Sequence, residues 1–190
     1  GILNVILKKE ELEGFNGSFI LNGGFPTTYG GNATLNWRTK KLNFFSTTSL
    51  RDSESRGGGI FESENFNPVR FVNEYRDYQR NRKSIFFNLG AEYYFNDDTS
   101  LTVSGFVRRS DNESNNNTEI DNLNVAGVVV DQFGRYQFEE EIDNSQQFTA
   151  NFTKKFDDKG HELIIEFQTE SSEEDESDLA ENTSTFNQES

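Results

Sequence analysis

The sequence predicts an all-β fold, part of an antiparallel transmembrane β-barrel, and three observations lead there. Four stretches alternate apolar and polar residues at a period of two. Each stretch runs for roughly ten residues, the length a tilted membrane strand needs. Tight polar turns and long, strongly charged segments separate them alternately.

The elements follow in chain order. Ile2 to Lys9 reads as a short strand, and Glu10 to Glu13 as a charged connector. Gly14 to Phe25 alternates, with Phe15, Gly17, Phe19 and Leu21 on one side and Asn16, Ser18 and Asn22 on the other. Pro26-Thr27-Thr28 supplies a turn, because proline fixes φ and removes a donor. Tyr29 to Arg38 returns, with Ala33, Leu35 and Trp37 opposite Asn32, Thr34, Asn36 and Arg38. Thr39-Lys40-Lys41 turns the chain into Leu42 to Leu50, where alternation is weaker. Residues 51 to 82 then read as a long loop, with Gly57-Gly58-Gly59 giving flexibility.

The clearest alternation comes next. Ile85, Phe87, Leu89, Ala91, Tyr93 and Phe95 share a side against Asn88, Gly90 and Glu92, and the turn Asn96 to Thr99 leads back into Leu101, Val103, Gly105 and Val107. Residues 110 to 144 read as a second long loop, with Val125 to Val130 a small hairpin or lid inside it. Phe148, Ala150 and Phe152 oppose Thr149, Asn151 and Thr153; after the turn Asp157 to Gly160, Leu163, Ile165 and Phe167 oppose Glu162, Glu166 and Gln168. From Ser171 onward seven acids and no base form an acidic loop. The turns at Thr39, Asp97 and Asp158 thus fall at one end of the strands and the long segments at the other, the asymmetry expected of periplasmic turns and external loops.

Composition narrows the function. The formal charge is -15 and only 32% of residues are hydrophobic, so a large water-soluble core is not expected. Nineteen Phe against two Pro argues against disorder. A membrane barrel reconciles the two, since it needs one apolar band and a polar interior. The acid excess disfavours nucleic acid, whose phosphates demand clustered Lys and Arg. With no Cys, disulfides and thiolate chemistry are excluded, and no apolar run is long enough for a transmembrane helix. Gly1 to Leu7 lacks the marks of a signal peptide, so the chain is expected to be an interior piece of a longer exported protein.

Candidate chemical residues are few. His161 is the single histidine, beside Gly160, and reads as an exposed turn residue rather than a general base or zinc ligand. Glu139-Glu140-Glu141 and Glu173-Glu174-Asp175-Glu176 lack calcium-loop spacing and read as solvated surface. The glycine run lacks the lysine of a phosphate loop, and the Asn-x-Ser/Thr sequons fall out of Asn and Thr sharing a polar face. No catalytic, cofactor or metal residue is therefore assigned, and no ligand-binding residue is selected. Trp37, Tyr93, Tyr94, Phe95 and Phe156 lie near the short turns, where rings favour the headgroup boundary.

Gly1-Ile2-Leu3-Asn4-Val5-Ile6-Leu7-Lys8-Lys9 resembles the closing strand of the plug domain in TonB-dependent outer-membrane receptors. Gly14-Phe15-Asn16-Gly17-Ser18, Asn22-Gly23-Gly24-Phe25, Tyr29-Gly30-Gly31-Asn32 and Leu42-Asn43-Phe44-Phe45 look like the barrel start of Bacteroidetes members. The resemblance implies a bacterial outer-membrane location, with residues 1–13 ending the plug and 14–190 beginning a barrel of about 22 strands, some seven of them here. It implies uptake of a scarce solute driven by the TonB complex through an upstream segment, with a surface lipoprotein as a further candidate partner. Iron chelates, cobalamin, oligosaccharides and peptides are the family's ligands, and the sequence does not choose among them. Two alternatives stay open: a passive or structural barrel, porin-like or adhesive, and a secreted carbohydrate-binding β-sandwich. An enzyme is not expected. As an isolated piece with two unpaired edges, the chain is expected to aggregate in water.

Overall fold

A computed structural model describes residues 13–66, 69–157 and 160–186. The predicted strand at Ile2 to Lys9 lies outside the described residues. The rest is all-β: β1 (Gly14–Gly24), β2 (Thr28–Arg38), β3 (Leu42–Phe66), β4 (Val69–Asn96), β5 (Thr99–Leu123), β6 (Val129–Lys155) and β7 (Glu162–Phe186). They pair in sequence order as one antiparallel seven-stranded meander. The sheet is open, with β1 and β7 at its edges, and it forms a single layer rather than the two that a sandwich packs together.

Short connections join the strands at the end carrying Thr39 and Asp97. Thr39 closes its turn by donating its backbone N–H to Leu42 O (2.7 Å) and accepting from Leu42 N at Oγ1 (3.0 Å). Asp97-Asp98 forms a two-residue turn in which Asp98 N donates to Asn96 Oδ1 (3.0 Å). At the opposite end β1 and β2 meet through Phe25-Pro26-Thr27. Between β5 and β6, Asn124 Oδ1 accepts from the backbone of Ala126 (2.9 Å) and Val128 (3.0 Å), and Gly127 takes a φ of 77° that favours glycine.

The two expected long loops are instead strand. Residues 51–66 and 69–82 continue the β3–β4 ladder without interruption, from Arg51↔Ser84 to Phe66↔Val69. Residues 110–123 and 129–144 likewise pair as β5 and β6, with one register shift between Asn122 and Leu123, so of the hairpin or lid expected at Val125 to Val130 it is the hairpin that forms, as the tip and the start of β6. The acidic segment after Ser171 runs along β6 as far as Asp131↔Phe186. Nor does Gly57-Gly58-Gly59 confer flexibility: it lies inside β3, and a Cβ at Gly57 would meet Tyr78 Oη at 2.4 Å and one at Gly58 the Arg76 carbonyl at 2.3 Å. These glycines make room for β4. From the level of Ser53 the β3–β4 hairpin projects some 40 Å beyond the short β1–β2 hairpin, at roughly 3.3 Å per residue.

Candidate functional site

Register decides which side chains share a face, because directly paired residues point the same way. One row runs Trp37–Phe44–Ala91–Val103–Ala150–Phe167, and the next Leu35–Ser46–Leu89–Gly105–Phe148–Thr169. Leu42, Tyr93, Leu101, Phe152 and Ile165 make the row nearest the short turns. All the apolar sets found in the sequence therefore merge on one side of the sheet. From there to the row of Leu50 and Ile85 the band spans five rows of alternate residues, on the order of 25–30 Å along the strands.

Exposure runs opposite to that of a soluble sheet. Among the described residues no apolar side chain is buried; Leu89 is 53% exposed, Ile85 46% and Phe167 58%. Along β4 the polar-side neighbours Ser84, Asn88 and Glu92 are half-buried and Gly90 is buried. From this contrast in shielding along β4, the polar side is taken as the concave face of the sheet and the apolar side as the convex face.

At the outer border the convex face turns charged within one row, where Lys83 lies between Asp52 and Asp111 in register. Arg109 adds an ion pair to Asp111 at 3.0 Å. A groove of about 530 Å³ follows this border, lined by Leu21, Tyr29, Leu50 and Ile85 beside those charges. At the inner border Trp37 stacks on Phe44 (centroids 5.7 Å apart, planes 15°) and Tyr93 meets Phe95 edge-on at 4.9 Å. Lys154 lies 5.4 Å over the Phe156 ring. Tyr94, assigned to the same girdle from sequence, points to the concave side instead. Its hydroxyl donates to Glu92 Oε2 (2.6 Å) and Arg38 sits 5.2 Å over its ring.

The concave face carries three rings that alternation alone missed. Phe86 and Phe106 tilt together at 5.6 Å, and Phe45 lies against Gly90. The signal was present: in Phe44-Phe45 and Phe86-Phe87 consecutive residues must place one ring on each side. Asn88, beside them, keeps a buried Oδ1 without a hydrogen-bond partner.

His161 is exposed and its Nδ1 lies 2.5 Å from Asp157 Oδ2, while its backbone N–H donates to Asp157 Oδ1 (3.2 Å). Asp157 therefore holds the ring as part of a turn at the sheet's end. The two acidic runs read separately in the sequence lie side by side in the sheet: Asp143 pairs with Glu174 and Glu141 with Glu176. Carboxylate oxygens of Glu141, Asp143 and Glu174 lie within 4.8 Å of one another. Three carboxylates supply at most six oxygens, the lower end of the six to eight that calcium gathers, and only if each binds through both. Crowding acts on Glu141, pushed above its ordinary carboxyl range first by a hydrogen bond shared with Asp143 and then by the charges of Asp143, Glu174 and Glu176.

No protein-family model and no curated protein matches this chain. The arrangement of its own residues carries the functional reading.

Proposed function

We propose that the chain forms part of the wall of an outer-membrane β-barrel receptor, one that takes up a scarce solute with energy relayed by the TonB complex. The observation that carries the membrane part is the convex apolar band, exposed and about 20 Å tall once a barrel's strand tilt of about 40° is allowed for, close to the roughly 25 Å of a lipid-facing belt. An exposed apolar face of this kind marks a membrane or partner contact rather than a water-facing surface. Water does not favour it; hydrocarbon does, and between the rows of Leu42 and Leu50 the strands β3 to β6 pair in continuous register. Edges β1 and β7 would pair with further strands, closing the sheet around the polar face as a lumen. The plug-like segment Gly1 to Lys9 supports energised uptake over passive flux, and the long hairpins of β3 to β6 would stand outside the cell as the ligand-facing wall.

Quenching of Trp37 fluorescence tests the membrane assignment. In vesicles of lipids brominated near the headgroup, the Trp37 signal, taken as the difference from Trp37→Phe, is expected to fall strongly. A detergent-free soluble protein whose Trp37 ignores brominated lipid would overturn it. Capture of the intact protein by the periplasmic domain of TonB tests the energised reading, and a barrel that ignores TonB would be the passive alternative.

A further inference from the structure

Beyond the belt the concave face sorts its charges by strand. Arg51, Arg80 and Arg82 project from β3 and β4, and Glu139, Glu141 and Asp143 from β6. Register aligns them in successive rows: Arg51–Ser84–Ser110–Asp143, Arg82–Asn112–Glu141 and Arg80–Ser114–Glu139. Between the walls β5 lines the cleft with Asn112 and Ser114 and with Glu113, whose carboxylate accepts from Asn81 Nδ2 (3.4 Å), while Ser110 in the first row is fully buried. The β4 arginines and the β6 carboxylates are two strand spacings apart, about 10 Å. These six line one cleft of about 660 Å³ together with Glu54, which is paired to Arg56, and Glu113.

Neither wall is neutralised from within. Among the described residues the ion pairs are Arg56–Glu54, Arg76–Glu74, Arg109–Asp111 and His161–Asp157, none of which involves the cleft arginines. Arg80 rests 4.8 Å over the Tyr78 ring, which orders its guanidinium without compensating its charge. Across the cleft acid crowds acid, and Glu141 is raised above the ordinary carboxyl range by its hydrogen bond with Asp143 and by the negative charges of Asp143, Glu174 and Glu176. An anion at one wall and a cation at the other would relieve both.

We propose that this cleft binds a zwitterionic solute of short-peptide size, its carboxylate held by the arginines of β3 and β4 and its ammonium by the carboxylates of β6. Guanidinium groups take a carboxylate through paired hydrogen bonds, and three carboxylates offer an ammonium its three acceptors. Asn112 and Ser114 would face the peptide groups between. An extended tripeptide spans about 10 Å, which matches the gap. The proposal rests on the reading of the concave face as lumen.

The test is titration calorimetry of the intact protein in detergent with trialanine, N-acetyl-trialanine and trialanine amide. Trialanine is expected to bind, and capping either end to weaken it about tenfold or more, the loss of one charge-assisted contact. Arg82→Gln should abolish the penalty for amidation while keeping that for acetylation, and Glu141→Gln the reverse. A protein that migrates as a heat-modifiable barrel yet binds all three peptides equally, or none, overturns the zwitterion site alone. Failure to form such a barrel overturns the membrane reading, and this inference with it.

Discussion

Phe45 occupies the space that any side chain at Gly90 would need: a Cβ there would fall 2.2 Å from Phe45 Cζ and 2.8 Å from Ser104 Cβ. The pair spans β3 and β4 directly in register, in the middle of the concave face. Gly90→Ala must displace the ring and strain the β5 neighbour, a small-to-large change that typically costs about 1–3 kcal/mol. Heat-modifiability midpoints should drop for Gly90→Ala and recover in part with Phe45→Leu added. Equal midpoints for Gly90→Ala and wild type would mean that the ring does not rest there.

Val103 and Thr102 are neighbours on opposite faces, so on the proposed reading they separate lipid contact from lumen contact within one peptide unit. Val103 stands between Ala91 and Ala150 on the convex side, and Thr102 between Glu92 and Asn151 on the concave side. An arginine in a barrel's lipid belt costs about 2–4 kcal/mol at the midplane, falling to about 0–1 kcal/mol at the interfaces, and Val103 stands one row from the middle of the band. Thr102→Arg instead gains Glu92 as a neighbour. Val103→Arg is expected to lower the folded fraction in membranes sharply and Thr102→Arg slightly; equal tolerance would remove lipid from the convex face.

Strand order and facing were legible in the sequence wherever solvent differs on the two sides of the sheet. Between Ile85 and Phe95 a period of two was written by that contrast, and the register of β4 and β5 repeats it. From Arg51 to Arg82 both sides are polar, so alternation vanishes although the backbone ladder continues. The same holds for residues 110 to 144, which is why strands of about 25 residues read as belt strands with loops. The charge walls of the cleft were illegible for another reason. Arg82 and Glu141 are brought into one row only by register across two hairpins, which no local pattern records.

Arg56, Arg76 and Arg80 sit inside the paired β3–β4 ladder, and a protease needs an unpaired segment to thread its active site. Trypsin acting on intact cells or on the vesicle-bound protein should leave these three bonds whole long after it has cut the same bonds in denatured protein. Mass spectrometry of the released peptides gives the answer. Rapid cleavage after Arg56 or Arg80 in the assembled protein would restore a flexible loop at residues 51 to 82.

Glu141 links the outer part of the sheet to pH. Its carboxyl is raised above the ordinary range by Asp143 on its own strand and by Glu174 and Glu176 on β7, with neutral Asn112 facing it from β5. Between its unfolded and its raised folded pKa the folded state binds more protons. Stability from this group is therefore gained as pH falls through that window and lost as pH rises through it. Amide exchange, corrected for intrinsic pH dependence, should show residues 139–143 and 173–178 better protected in mild acid than at neutral pH. Glu141→Gln removes one member of the repelling set and should raise neutral-pH protection there while flattening its response to acid. Weaker protection in Glu141→Gln at neutral pH would mean that the carboxylate is held by attraction rather than crowded by repulsion.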